Sequence, residues 1–358
     1  MFGINGRVGI AVVVAGVTSL ASAKTILVPE AAITIQHAID ASSAGDTISI
    51  APGIWRETLD LRGRSILLKG REGAEKTIID GTGLGDSVIR CVTAEGPGTV
   101  IEGLTITGGS GHEGLSKAGL TLGGGILALG SSPTFRACIV TGNTATLNGG
   151  GAYVGASSRI RFDGCTFVGN EAEKGGGVLC ASSKPVFINC TFENNEARYA
   201  GGALHASVDS EPILRSCAMV GNQAAFNGGA VCSMRSAGAV LDTTFTRNRA
   251  GYQGGAIYFG FRTTMTADAC VFHGPSDDVA GGGHVARVDL RSGSCDLGGG
   301  VCVTAEQEDC ERAGGIYGGD GTSCLPVTDR QMALREGDFN QDGKIDRTDM
   351  AILLLLWR

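Results

Sequence analysis

The stretch from Ser131 to Gly283 repeats one short pattern about every 26 residues. One half of the pattern is a cysteine, followed by a large apolar residue two positions later and by an asparagine five positions later. The other half is a glycine pair followed by a small residue and a larger one. The asparagines are separated by 27, 25, 27 and 26 residues and are Asn143, Asn170, Asn195, Asn222 and Asn248. A period of this length is typical of solenoid proteins.

Apolar and polar residues alternate within each repeat, so that Cys190 and Phe192, for example, fall on one face of an extended chain. The glycines supply the turns between these short strands. A unit of this size cannot bury its own apolar face, but it can do so when stacked on its neighbours. The sequence therefore predicts an all-β fold, a right-handed parallel β-helix over residues 46–290. One repeat forms one coil, and equivalent positions lie about 4.8 Å apart.

The Phe-x-x-Asn and Gly-Gly-Ala half-motifs resemble the polymorphic outer-membrane protein repeats, which belong to the pectate-lyase-like β-helix group. The first half-motif spans Phe167–Asn170, Phe192–Asn195 and Phe245–Asn248, while Val140 and Met219 take the phenylalanine position in two other coils. The resemblance implies the β-helix fold. It implies little about activity, because one fold hosts many functions.

The N-terminus reads as a secretion signal over residues 1–23. Arg7 precedes an apolar run from Val8 to Val17, and Ala21-Ser-Ala23 is a suitable cleavage site. The apolar run is too short to cross a membrane, so we expect a secreted or cell-surface protein without a membrane span after cleavage. Charged residues make up only 18% of the chain and the net charge is −7, which argues against nucleic acid as a partner.

Residues 24–45 are predicted to form an N-terminal cap. Within them, Ala31 to Ser43 resembles an amphipathic helix, with Ile35, Ala38 and Ile39 on one face. Such a helix would cover strand edges and core that an open end of the β-helix exposes.

A cysteine-rich segment at 291–329 contains Cys295, Cys302, Cys310 and Cys324. In a secreted chain, four close cysteines favour two disulfides, with three possible pairings. Zinc binding is the alternative, but it favours closer pairs than spacings of 7, 8 and 14 residues.

The cysteines of the coils form a separate group at one equivalent position. They are Cys138, Cys165, Cys190, Cys217 and Cys270, and Thr243 replaces one of them. Disulfides between adjacent coils are one interpretation. We expect buried free thiols instead, because the Thr243 substitution is tolerated and the alternation directs this row inward.

The tail at 330–358 contains an EF-hand ligand pattern. Its positions 1, 3, 5, 7, 9 and 12 are Asp338, Asn340, Asp342, Lys344 (through its carbonyl), Asp346 and Asp349, and Gly343 occupies the sharp turn at position 6. The pattern predicts a Ca²⁺ site followed by a short helix. Loop and helix resemble one repeat of a dockerin, which implies a cohesin-like partner. Dockerins normally carry two repeats, so a tail that contacts the cell surface or a second copy fits equally well.

Candidate functional residues in the coils are few. Arg136, Arg161 and Asp163 are predicted to lie together on an outward face, either as weak catalytic candidates or as a surface ion pair. Tyr199, Phe226 and Tyr252 are predicted to form an aromatic row that either binds sugars or stabilises the coils.

Regular repeats without a visible catalytic cluster favour a non-catalytic binding, adhesion or envelope-structural protein, with a polysaccharide or an envelope protein as partner. The alternative is a secreted polysaccharide lyase or glycoside hydrolase. The sequence leaves the question of enzymatic activity open, leaning towards none.

Overall fold

The computed structural model describes residues 22–113, 119–273, 276 and 279–281, together with the backbone of three strands between residues 292 and 320. Residues 1–21, the side chains of the cysteine-rich segment and the whole calcium loop from Asp338 to Asp349 lie outside the described residues. The signal sequence, the disulfides and the calcium site therefore stay predictions.

The described chain is an all-β parallel solenoid, built from three long sheets and one shorter sheet. Sheet A has ten strands: β1 (Thr25–Val28), β2 (Thr47–Ile50), β5 (Leu67–Gly70), β8 (Val100–Glu102), β11 (Thr134–Arg136), β14 (Arg161–Asp163), β18 (Val186–Ile188), β22 (Ile213–Arg215), β26 (Ala239–Leu241) and β30 (Thr266–Asp268).

Sheet B follows sheet A within each coil. Its strands are β3 (Gly53–Trp55), β6 (Thr77–Asp80), β9 (Thr105–Thr107), β12 (Ile139–Thr141), β15 (Thr166–Val168), β19 (Thr191–Glu193), β23 (Ala218–Val220), β27 (Thr244–Thr246) and β31 (Val271–His273).

Sheet C completes the coil. Its strands are β4 (Leu59–Asp60), β7 (Ile89–Cys91), β10 (Ile126–Leu129), β13 (Ala152–Gly155), β17 (Val178–Ala181), β21 (Leu204–Ser207), β25 (Val231–Met234), β29 (Ile257–Phe259) and β32 (Val279–Ala280). The shorter sheet D lies between sheets B and C in the chain and contains β16 (Glu171–Lys174), β20 (Glu196–Ala200), β24 (Gln223–Ala224) and β28 (Arg249–Ala250).

The strands pair in register from coil to coil, so equivalent side chains stack in the core. Phe135, Phe162 and Phe187 are register partners in sheet A, with ring centroids 5.2 and 5.0 Å apart. In sheet B, Phe167 stacks on Phe192 at 4.9 Å. All five rings are fully buried, which confirms the predicted one-coil-per-repeat arrangement.

The repeated asparagines form a buried ladder at the corner after sheet B. The side-chain amides of Asn143, Asn170, Asn195 and Asn222 each donate to the Oδ1 of the asparagine in the next coil, over 2.9–3.1 Å. Each amide also donates to a backbone carbonyl of the preceding coil, as Asn195 does to Phe167. The ladder satisfies backbone groups at a turn that water cannot reach.

Glycine is required at the glycine pairs because the backbone of the next coil lies too close to leave room for a Cβ. A Cβ at Gly150 would lie 2.4 Å from the carbonyl oxygen of Glu171 in the next coil. The glycine just before it, Gly149, adopts φ of +69°, a conformation that other residues reach only at a cost.

The coil cysteines are free and buried, as expected. The Cys190 thiol, for example, donates to the carbonyls of Ile188 and Phe162 at 3.4 and 3.6 Å. The row thus consists of small buried groups and contains no cross-links.

The N-terminal segment forms a strand and then a short helix. Strand β1 pairs with β2, so sheet A begins before residue 46, within the segment assigned to the cap. Helix α1 (Ile35–Ala41) starts at Thr34, whose side chain accepts from the His37 backbone N–H, and it buries Ile35, Ala38 and Ile39. It is shorter than predicted, and its role as a cap stays a prediction. Within the part of the chain that the structure describes, no helix is long and apolar enough to cross a membrane.

Three further strands form a separate antiparallel sheet in the cysteine-rich segment. Strand β33 (Ser292–Gly298) pairs with both β34 (Val301–Glu306) and β35 (Ile316–Asp320). Cys295 and Cys302 lie on β33 and β34, respectively.

Candidate functional site: a groove on the outer face of sheet C

The outer face of sheet C contains a column of five residues from five consecutive coils. The register partners are Tyr153, Leu179, His205, Cys232 and Tyr258. Their strand neighbours, such as Val178 and Cys180, point into the core, so alternation along the strand directs the column outward. Four coil steps separate the two tyrosines, a distance of about 19 Å.

This column is the floor of a groove of about 510 Å³, which we call the sheet C groove. One wall is the row formed by Asn148, Lys174, Ala200 and Asn227, which pair with one another from coil to coil. Tyr199 lies beside this row. The opposite wall consists of residues at the ends of the sheet C strands and in the turns that follow: Ala181, Ser207, Val208, Met234 and Arg235.

Three buried polar atoms in the groove have no hydrogen-bond partner. They are the Oδ1 of Asn148, the Nδ1 of His205 and the Oδ1 of Asn227. Buried polar groups are nearly always paired, because leaving one unpaired costs about 1–3 kcal/mol. Three such atoms around one concave surface make the sheet C groove a candidate ligand site.

His205 is held in its neutral form. It is only 5% exposed, and burial lowers the pKa of its imidazole to about 4, with the nearby Lys174 ammonium adding to the shift. A neutral imidazole can accept a hydrogen bond through one ring nitrogen. At neutral pH, His205 is thus a polar contact group that brings no charge to the groove.

The charges of the groove are positive. Lys174 places its ammonium 5.2 Å from the centroid of the Tyr199 ring and 3.9 Å from a carboxylate oxygen of Glu173. Arg235 is exposed at the opposite rim. Among the described residues that line the groove, none is an aspartate or a glutamate.

The predicted aromatic row borders this groove. Tyr199, Phe226 and Tyr252 are 45%, 50% and 72% exposed, and the rings of Tyr199 and Phe226 are tilted against each other at 5.1 Å. Only Tyr199 also lines the groove. The row is therefore an exposed ridge beside the groove, and it combines a ring contact with accessible aromatic faces.

A family model described as "Right handed beta helix region" matches residues 124–308, more than half of the chain. The chain belongs to the right-handed β-helix family. A search of curated proteins finds no match.

Several solved structures are similar to this right-handed β-helix protein at low sequence identity. Pectin methylesterase from carrot is 12% identical, with 73% of this chain and 88% of that chain covered and a TM-score of 0.47. Pectin methylesterase PemA from Erwinia chrysanthemi is 13% identical, with 91% and 98% covered and a TM-score of 0.40.

The predicted ionic residues of this β-helix protein lie on another face, the outer surface of sheet A. Arg136 and Asp163 are register partners, but each pairs elsewhere. Arg136 binds Glu102 at 3.0 Å, and Arg161 binds Asp163 at 2.9 Å. The first pair joins two coils and the second lies within strand β14, and partly exposed pairs of this kind are typical of a surface ion network.

A second polar cluster was not anticipated from the sequence. Arg90 binds Asp86 at 2.9 Å and Asp60 at 3.1 Å, and His112 binds Asp86 at 2.8 Å. Asp60 and Arg90 belong to the same outward column of sheet C as the groove, at its N-terminal end. The loose repeat before residue 110 gave no period by which to align them.

The described part of the coils offers no candidate for metal binding. Across residues 22–113 and 119–273, no group of three or more histidine, cysteine, aspartate or glutamate side chains is placed to hold a metal ion. The six predicted calcium ligands from Asp338 to Asp349 lie outside the described residues, so the structure does not test them.

Proposed function

We propose that this protein is a secreted or cell-surface β-helix that binds a carbohydrate chain in the sheet C groove without chemical turnover. The observation that supports this most is the set of unpaired buried atoms of Asn148, His205 and Asn227 between two tyrosines. Sugar hydroxyls are donors that match such acceptors, and tyrosine rings offer flat apolar contact to sugar faces. A groove of about 510 Å³ falls within the range of ligand sites.

The composition of the groove supports binding over catalysis. Most glycoside hydrolases use a pair of carboxyl groups on either side of the bond that they cleave. Of the described residues, those that line this groove include no carboxylate. The neutral His205, with one free ring nitrogen, suits hydrogen bonding more than charge-based chemistry.

Sequence motifs at both termini support a role outside the cell. The signal sequence at 1–23 supports export, and the dockerin-like loop at 338–349 supports a Ca²⁺-dependent tail that holds the protein at a surface, through a cohesin-like domain or another envelope protein. The rigid coils would then present the groove to polysaccharides outside the cell.

The binding function is tested on a glycan array with the purified mature chain. We expect binding to at least one polysaccharide class, and we expect Tyr153→Ala with Tyr258→Ala to abolish it. Tyr252→Ala is the matched control, because Tyr252 is exposed outside the groove lining. Absence of binding to every glycan, or binding that the double variant retains, would refute the proposal.

The second candidate function is a polysaccharide lyase or glycoside hydrolase. The observation that favours it is the Asp60–Arg90–Asp86–His112 cluster, which places two carboxylates and an imidazole on the face that also holds the groove. Incubation with acidic and neutral polysaccharides, followed by analysis of released products, separates the two functions. Product release that is lost in Asp86→Asn, or in Asp163→Ala on sheet A, would replace the binding function by catalysis.

A further inference from the structure

The sheet C groove differs in charge from the rest of the molecule. The chain has a net charge of −7, yet the groove lining contains Lys174 and Arg235 and, within the described residues, no acidic side chain. The two cations lie on opposite walls, above a floor of uncharged residues. A site with these two cations favours a ligand with negative charge and disfavours a cationic ligand.

We propose, on the basis of the binding function above, that the ligand is an anionic, hydroxyl-rich glycan and that Lys174 is the residue that selects its negative charge. Carboxylate groups of uronic acids and sulfate esters share this chemistry. The hydroxyls satisfy the unpaired acceptors of the groove, and the anionic group binds the lysine.

The position of Lys174 supports this role. Its ammonium lies over the Tyr199 ring at 5.2 Å and only at the limit of an ion pair with Glu173, at 3.9 Å. The other lysine–glutamate pairs of the structure are shorter, for example Lys76–Glu72 at 2.8 Å and Lys184–Glu211 at 2.6 Å. Lys174 is therefore held by an aromatic face and a weak ion pair, and it can bind a ligand anion without breaking a close salt bridge.

The surroundings of His205 indicate that different residues of the groove recognise hydroxyl groups and negative charge. It lines the groove, it is 5% exposed and its Nδ1 is unpaired, and its register partners Leu179 and Cys232 carry no charge. The charged and titratable groups that line the groove around it are Lys174 and Arg235 on the walls and Cys232, Tyr153, Tyr199 and Tyr258. His205 on the floor and Asn148 and Asn227 on one wall can thus accept from hydroxyl groups, whereas Lys174 and Arg235 provide the positive charge.

The test compares a polyuronate oligosaccharide with its carboxyl-reduced, neutral counterpart in isothermal titration against the full chain. A sulfated oligosaccharide forms a third arm. We expect at least one acidic ligand to bind about tenfold more tightly than the neutral ligand, the effect of one charge-assisted hydrogen bond. We expect Lys174→Met to lower the affinity for the acidic ligand to that of the neutral one, and Lys174→Arg to retain the preference.

One control variant makes the result specific. Lys76→Met removes an exposed lysine that does not line the groove and should leave all affinities unchanged. Equal affinity for acidic and neutral ligands would overturn this inference and leave the binding function standing. Binding of neither ligand, when the array also shows none, would overturn both.

Discussion

The side-chain amide of Asn170 donates to Oδ1 of Asn195 over 2.9 Å, and the backbone N–H of Asn170 donates to the same oxygen over 3.1 Å. One buried side chain therefore satisfies two donors of the neighbouring coil. The arrangement repeats along five coils, so the ladder links each coil to the next through hydrogen bonds as well as through apolar contact.

Removal of one ladder asparagine should destabilise the protein markedly. Asn195→Ala leaves the Asn170 backbone N–H unpaired in a site without water access, and we expect a loss of about 3 kcal/mol in the free energy of unfolding. Urea denaturation followed by far-ultraviolet circular dichroism measures it. Gln223→Ala, at an exposed position one coil away, is the control and should change stability by less than about 0.5 kcal/mol. A similar small change for both variants would contradict the role of the ladder.

His205 should make stability depend on pH. Its pKa falls from 6.5 to about 4 in the folded state, so between these values the unfolded chain binds the additional proton. Stability should therefore decrease as the pH falls from 6.5 towards 4, by up to about 3 kcal/mol, and His205→Gln should remove this part of the dependence. Denaturation midpoints at pH 7, 5.5 and 4.5 test it. His37→Gln, at an exposed position of α1, is the control. A pH dependence of stability that His205→Gln leaves unchanged would argue against a buried, neutral His205.

The coil thiols should resist modification in the native state. The five cysteines of the row are at most 3% exposed, so a reagent reaches their sulfur atoms only when the coils open, and for Cys270 burial also raises the thiol pKa to about 11. We expect labelling with a thiol reagent at pH 8 to be slow in buffer and complete in denaturant, as read by peptide mass spectrometry. Rapid labelling of Cys165 or Cys190 in buffer would show that these coils open.

Removal of calcium should affect the tail alone. If Asp338 to Asp349 form an oxygen cage, chelation should remove the helix signal that follows the loop and leave the β signal of the coils nearly intact. Asp342→Ala should have the same effect in the presence of Ca²⁺. Circular dichroism with and without chelator measures both, and loss of the whole fold on chelation would contradict the prediction.

The fold was predictable because its repeat is simple and local. Most coils between Ser131 and Gly283 contain an inward cysteine, an inward phenylalanine and a corner asparagine at nearly fixed spacing, and the structure stacks equivalent positions in register. The signal is weaker before residue 110, where coils differ in length, and there the sequence located strands but not their partners. The start of sheet A at β1 was missed for the same reason.

The groove was not predicted, because its five floor residues occupy equivalent positions in their coils but are of different residue types. Tyr153, Leu179, His205, Cys232 and Tyr258 each follow a left-handed glycine by four residues. An alignment on the first residue of each glycine pair places Gly150 and Gly176 beside Gly201, whereas the structural equivalents of Gly201 are Gly149 and Gly175, at φ of +69° and +64°. This offset of one residue hid the outward column. An alignment on the left-handed glycine would have found it.

Each sheet C strand under the groove carries inward side chains that pack in the core and outward side chains that face the groove. This separation decides how the outer surface can be altered by mutation. The glycines and asparagines that lock the coils together are not among the side chains that line the groove, apart from Asn148 and Asn227 on one wall. The five floor positions can therefore be substituted without altering the asparagine ladder or the left-handed glycines. Variation at these positions would change what the groove recognises while the contacts that join the coils stay the same.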